Sequence, residues 1–175
     1  MIRCLVEWLC RRRPAGFRYG RSFRPVVWVL LVLTIVEGLI AELVLGYLLA
    51  GTFWPWATLG LHVYGLLWVL GLLASLEVRP HVVEDGALVL RDSVFGELRI
   101  PLAAVRSFSA ISQAGMLRSG LKVEGEVAMF AYGDANVAVD IDVVDDPRLA
   151  GVRQVRFTVD DRERFLAAVE GVRAT

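Results

Sequence analysis

Three ionisable side chains lie where water is scarce. Glu37, Glu42 and His62 interrupt two long apolar runs. Inside a bilayer such groups are costly, and by default they pair or carry function. Counting outward from the link between the runs puts Glu42 and His62 at similar depth, so a contact across the two segments is expected. Glu37 lies deeper, level with about Trp68, whose indole N–H could donate to it. Five positions separate the two glutamates, so they do not share one helical stripe. At least one is therefore expected to face another subunit. Three roles are open to the set: polar glue within the hairpin or between protomers, a proton relay or ligand site, and simple tolerance.

The remaining candidates are weaker. Cys4 and Cys10 match no common zinc or redox spacing and read as reduced thiols. Asp140, Asp142, Asp145 and Asp146 form an acidic run without the glycine and glutamate that an EF-hand loop needs. It reads as a solvated face, and no metal or cofactor is expected. His81, after Pro80, reads as a hinge or interface residue. No nucleophile elbow, phosphate-binding loop, dinucleotide fingerprint or zinc-protease motif occurs, so no catalytic residue is assigned.

These residues depend on two elements. Residues 26–50 and 57–76 are apolar stretches that, as helices, span about 37 Å and 30 Å, enough to cross a hydrocarbon core. The short uncharged link between them makes a hairpin. Residues 1–25 carry seven arginines against Glu7, a net charge of +6. Positive segments stay in the cytoplasm, so both termini are expected there. Tyr47, Phe53, Trp54 and Trp56 are expected at the outer interface, with Trp28 at the inner one. Ile2, Leu5, Val6 and Leu9 share one helical face, so residues 2–10 are a candidate helix lying on the inner leaflet.

Composition agrees. Of 175 residues, 56% are apolar, above the usual soluble range. That excludes a disordered chain, a nucleic-acid-binding arm and an ordinary soluble enzyme. The zero net charge conceals a basic head and a body, residues 77–175, with 12 basic and 16 acidic side chains.

That body reads as seven short strands and one helix. Residues 81–91 form a hairpin around Asp85-Gly86. Strands follow at 97–101, 105–112, 127–132, 136–143 and 153–159. In the sixth, Val137, Val139, Ile141 and Val143 are expected inward, with Asp140 and Asp142 outward. An Asp–Arg ladder with Arg156 is expected on the wet face. Asp160 is expected to cap a C-terminal helix in a box with Glu163, and Phe165, Leu166, Val169 and Val172 form its apolar face. The fold class is a membrane α-hairpin plus an α+β body.

One family is similar. Leu88, Leu90 and Arg91, then Ile100, Pro101, Leu102 and Val105, then Phe165 in the acidic-capped helix, resemble bacterial pleckstrin-homology-like membrane proteins over roughly residues 77–172. The resemblance implies a seven-stranded, partly open barrel with a C-terminal capping helix. It implies a non-catalytic binding or assembly module. The first hairpin loop, Glu84-Asp85-Gly86, is acidic where lipid-binding versions are basic, so phosphoinositide binding is not expected. The expected protein is therefore an inner-membrane module for protein contacts, through its strand surfaces and the loop 113–120. Its partners are lipid and a second copy or another membrane protein, not nucleic acid. The alternative is a small oligomeric transport or proton-linked subunit built on Glu37, Glu42 and His62.

Overall fold

The computed structural model describes residues 2–10, 15–93, 96–115, 120–130 and 134–173. Three helices come first: α1 (Ile2–Leu9), α2 (Arg24–Leu48) and α3 (Trp54–Val78). Each long helix has 25 residues and a proline in its first turn, where no amide partner is lost. Both therefore start two or three residues before the expected spans. α2 stops at Leu48 because the chain must turn, and Gly51 takes a left-handed φ of +81° in the link. α3 runs two residues past its expected end and stops ahead of Pro80, which disfavours helix at the preceding residue.

α2 and α3 pack as an antiparallel hairpin. Val27, Leu31 and Gly38 are the buried residues of α2 and lie along one line facing α3. Within their most apolar 18-residue windows, only 11% of α2 and 39% of α3 is covered by protein. A soluble core helix would be covered on most sides. α3 has two halves: residues 54–68 are largely uncovered, whereas Val69–Val78 is almost wholly buried. α1 packs against α3.

Among its described residues the body holds eight strands in two sheets, one more than the seven expected. β1 (Val82–Glu84), β2 (Ala87–Asp92) and β3 (Gly96–Pro101) form an antiparallel meander. Its first turn is the expected Asp85-Gly86, with positive φ at both residues. The second sheet contains β4 (Val105–Gln113), β5 (Lys122–Glu124), β6 (Val127–Phe130), β7 (Ala135–Ile141) and β8 (Gln154–Phe157), in the order β4-β7-β8-β6-β5. β5 is the added strand. It has three residues, all exposed, too few for an alternation to be read. β8 inserts between β6 and β7, parallel to the former and antiparallel to the latter.

The core lies between the sheets. Leu88, Leu90, Leu98 and Ile100 meet Val137, Val139, Val155 and Phe157, and Phe165 and Val169 of α4 (Arg162–Arg173) close it. Two expectations are corrected here. Val143 is 98% exposed, because β7 ends at Ile141 and the chain leaves the sheet. The α4 cap is Asp161, whose Oδ1 accepts from Arg164 N at 3.0 Å, three residues on. Asp160 instead receives the amide of Arg21 at 2.9 Å, and its own amide donates to the carbonyl of Arg18. It ties the segment before α2 to the body.

Candidate functional site

In the hairpin, His62 Nδ1 lies 3.5 Å from Glu42 Oε1. Both atoms are buried and make no hydrogen bond among the described residues. Room for the imidazole comes from Gly38, one turn before Glu42. A Cβ there would stand 3.2 Å from the His62 ring. The two helices thus bring Glu42 and His62 together at the level the residue count indicates. Glu37 and Trp68 are not joined: both are exposed on the hairpin surface, and no hydrogen bond links them.

A second polar cluster lies where the hairpin enters the body, and most of it carries no sequence signal. His81 is buried and stacks on Tyr19, ring centroids 4.3 Å apart and nearly parallel. Its Nδ1 accepts from Arg91 N at 3.0 Å. Burial is the main force holding its pKa down to about 3, opposed by the bond to the Thr158 carbonyl and aided by Arg91. It is therefore a neutral joint between the segment before α2 and the body, which agrees with an interface role. Phe17 forms a one-residue bridge with His81, donating to and accepting from its backbone.

Tyr19 Oη accepts the amide of Ser93 at 2.7 Å, and burial drives the phenol pKa upward. Ser93 Oγ meets Ser75 Oγ from the buried end of α3. Next to it stands Asp92, only 2% exposed, with neither carboxylate oxygen hydrogen-bonded among the described residues. Burial raises its pKa to about 6; the Gly120 backbone lies close enough to oppose this weakly. Asp92, His81, Arg91 and Tyr19 line one tight void too narrow for a water molecule. On the other side of the same junction, Glu77 of α3 takes Arg24 as an ion pair and the Trp8 indole N–H of α1 at 2.9 Å.

The junction explains α1. Cys4 is buried and Trp8 is held by α3, so this side packs inward. Val6 and Leu9 stay 52% and 67% exposed on the other. Cys4 and Cys10 are not joined. The arginine run at 11–13 lies outside the described residues.

On the body, the expected Asp–Arg ladder is replaced by separate pairs. Asp140 accepts from Ser107 and Gln154, which hold its pKa low. Asp142 pairs with Arg106, and Asp146 with Arg148. Arg156 binds Gln154 and Gln113. In the register Asp140 faces Gln154 and not Arg156, so the amides intervene. Asp140, Asp142 and Asp146 thus each have a separate neighbour, and among the described residues no group of acidic side chains converges on one point. Of the loop 113–120, residues 116–119 lie outside those described; Gly115 N is held by Asp134.

No family model, curated protein or solved structure matches the chain.

Proposed function

We propose that this chain is a non-catalytic membrane protein. Its hairpin crosses the bilayer and holds the two-sheet body against the cytoplasmic face of the inner membrane, for contact with other proteins. The observation that carries this reading is the junction. Phe17, Tyr19 and Asp160 clamp the segment before α2 onto the body, Ser75 ties α3 to the body through Ser93, and Glu77 ties α3 to α1 and to the start of α2. The body is thus fixed in orientation by both ends of the hairpin and does not hang from one linker. The seven arginines of residues 1–25 support a cytoplasmic side for this junction, since positive segments are retained there. The exposed Val6 and Leu9 of α1 then meet the inner leaflet, as a helix lying in the interface does.

The pleckstrin-homology-like resemblance belongs to this proposal. Two sheets closed over one core by a C-terminal helix support it; the parallel β6–β8 pair is a feature it does not anticipate. A second reading, a proton-linked subunit, is favoured by the buried Glu42–His62 pair. The double variant Glu37→Gln, Glu42→Gln separates the two. Under the leading reading it inserts and functions; under the other it inserts and fails.

The leading reading is tested by membrane fractionation and crosslinking in intact cells. The chain is expected to need detergent for extraction and to crosslink, through the body, to proteins on the cytoplasmic side. A chain that stays in aqueous buffer without detergent contradicts it.

A further inference from the structure

The lipid-facing side of the hairpin is not uniformly apolar. Glu37 lies on α2, exposed, with no hydrogen-bond partner among the described residues. Trp68 lies on α3, 38% exposed, and its indole N–H likewise has no partner among the described residues. Successive helical residues are separated by about 100°. Glu37 therefore stands about a quarter turn off the buried line through Val27, Leu31 and Gly38. Trp68 stands about a third of a turn off the line through His62 and Val69. Because the helices are antiparallel, both offsets fall on the same side of the hairpin. Depth agrees as well. His62 touches both Gly38 and Glu42, which sets Glu37 and Trp68 within about one turn of the same level.

A bare carboxyl in hydrocarbon is costly, so this side requires cover. We infer that the Glu37–Trp68 side of the hairpin is a self-association surface, and that its occupant is the same side of a second copy. The argument rests on reading residues 24–78 as membrane-spanning. Two copies in one membrane share their orientation, so a two-fold axis between them runs along the membrane normal. That axis preserves depth and sets α2 of one copy opposite α3 of the other. Glu37 of each then receives the Trp68 indole N–H of its partner, and two equivalent hydrogen bonds form at once. This is an isologous, closed contact. An unrelated helix would have to supply its own donor at this depth; the second copy already has one. Gly65 lies on the same side, and a Cβ there would meet nothing within the chain. It lets a partner helix approach closely.

The test uses the full chain in native membranes, with Cys4 and Cys10 replaced by serine. Two differently tagged copies carry Ala41→Cys and Leu61→Cys, positions at one level on this side. A thiol crosslinker is expected to join them, whereas Leu43→Cys, on the opposite side and 76% exposed, is expected not to join a second Leu43→Cys copy. Single-molecule photobleaching in nanodiscs is expected to show two steps. Trp68→Phe and, separately, Glu37→Leu are expected to weaken association roughly tenfold while leaving membrane insertion unchanged, since each removes both equivalent bonds. A wild-type chain that bleaches in one step, crosslinks through Leu43, or ignores Trp68→Phe overturns the inference and leaves the membrane reading standing. A chain absent from the membrane fraction overturns both.

Discussion

Two buried titratable groups at the junction oppose one another, and their opposition gives a measurable pH signature. Asp92 has its pKa raised to about 6. The folded state therefore holds that proton longer than the unfolded state, and stability falls as pH rises from about 4 to about 6. His81 has its pKa lowered to about 3. The unfolded state then takes the proton first, and stability falls as pH drops below about 6.5. Between about pH 4.5 and 6 the two slopes have opposite signs and largely cancel. Asp92→Asn is expected to expose the histidine slope, a loss of about 1.4 kcal/mol per unit of acidification. Thermal melts in detergent across that window check it; an unchanged profile contradicts the burial of Asp92. At pH 7.5 the same variant is expected to be more stable than the native chain by about 1–3 kcal/mol, because an unpartnered buried carboxylate is removed.

Single elements give sharper tests of packing. Gly38→Leu is expected to push His62 away and separate α2 from α3, whereas Gly38→Ala strains the seam by about 1 kcal/mol, since its methyl meets the ring at 3.2 Å. Crosslinking yield between cysteines placed across the hairpin reads both. Asp161→Ala is expected to cost about 1 kcal/mol through loss of the α4 cap. Asp160→Ala leaves that cap intact and is expected to raise amide exchange at Arg21, whose partner it removes. Neighbouring aspartates thus differ in role, and the sequence could not rank them. Either satisfies a capping pattern, and only the path of residues 18–21 decides which one is taken. The apolar runs, the Asp85-Gly86 turn and the alternation of β7 were legible because a period or a turn chemistry fixes each locally. β5 was not legible, since its pairing with β6 and not its own pattern makes it a strand.

At the level of the whole molecule, two cores share one junction. The sheet core closes over Phe165, and Phe165→Ala is expected to cost about 3–5 kcal/mol in the body. The hairpin core includes Tyr19, Leu31, Leu73 and Leu76. Tyr19 and Ser75 bond to Ser93, so disturbance there is expected to loosen the body without unfolding it. Ser75→Leu, which crowds that contact, is expected to increase proteolysis between α3 and β1 while Phe165 stays protected from exchange. The Glu42–His62 pair could be anticipated from depth alone, because a helix converts residue count into distance. Of the junction only His81 carried a signal; Tyr19, Ser75, Asp92 and Ser93 did not, because they come from three separated stretches and are ordinary in type. The central claim is that the hairpin crosses the membrane with the body inside the cell. Membrane-impermeant thiol labelling in intact cells tests it most directly, on chains lacking Cys4 and Cys10 and carrying one cysteine at Gly51 or at Thr175. The account predicts labelling at position 51 without permeabilisation and at position 175 only after it. The reverse pattern, or equal labelling of both, would contradict it.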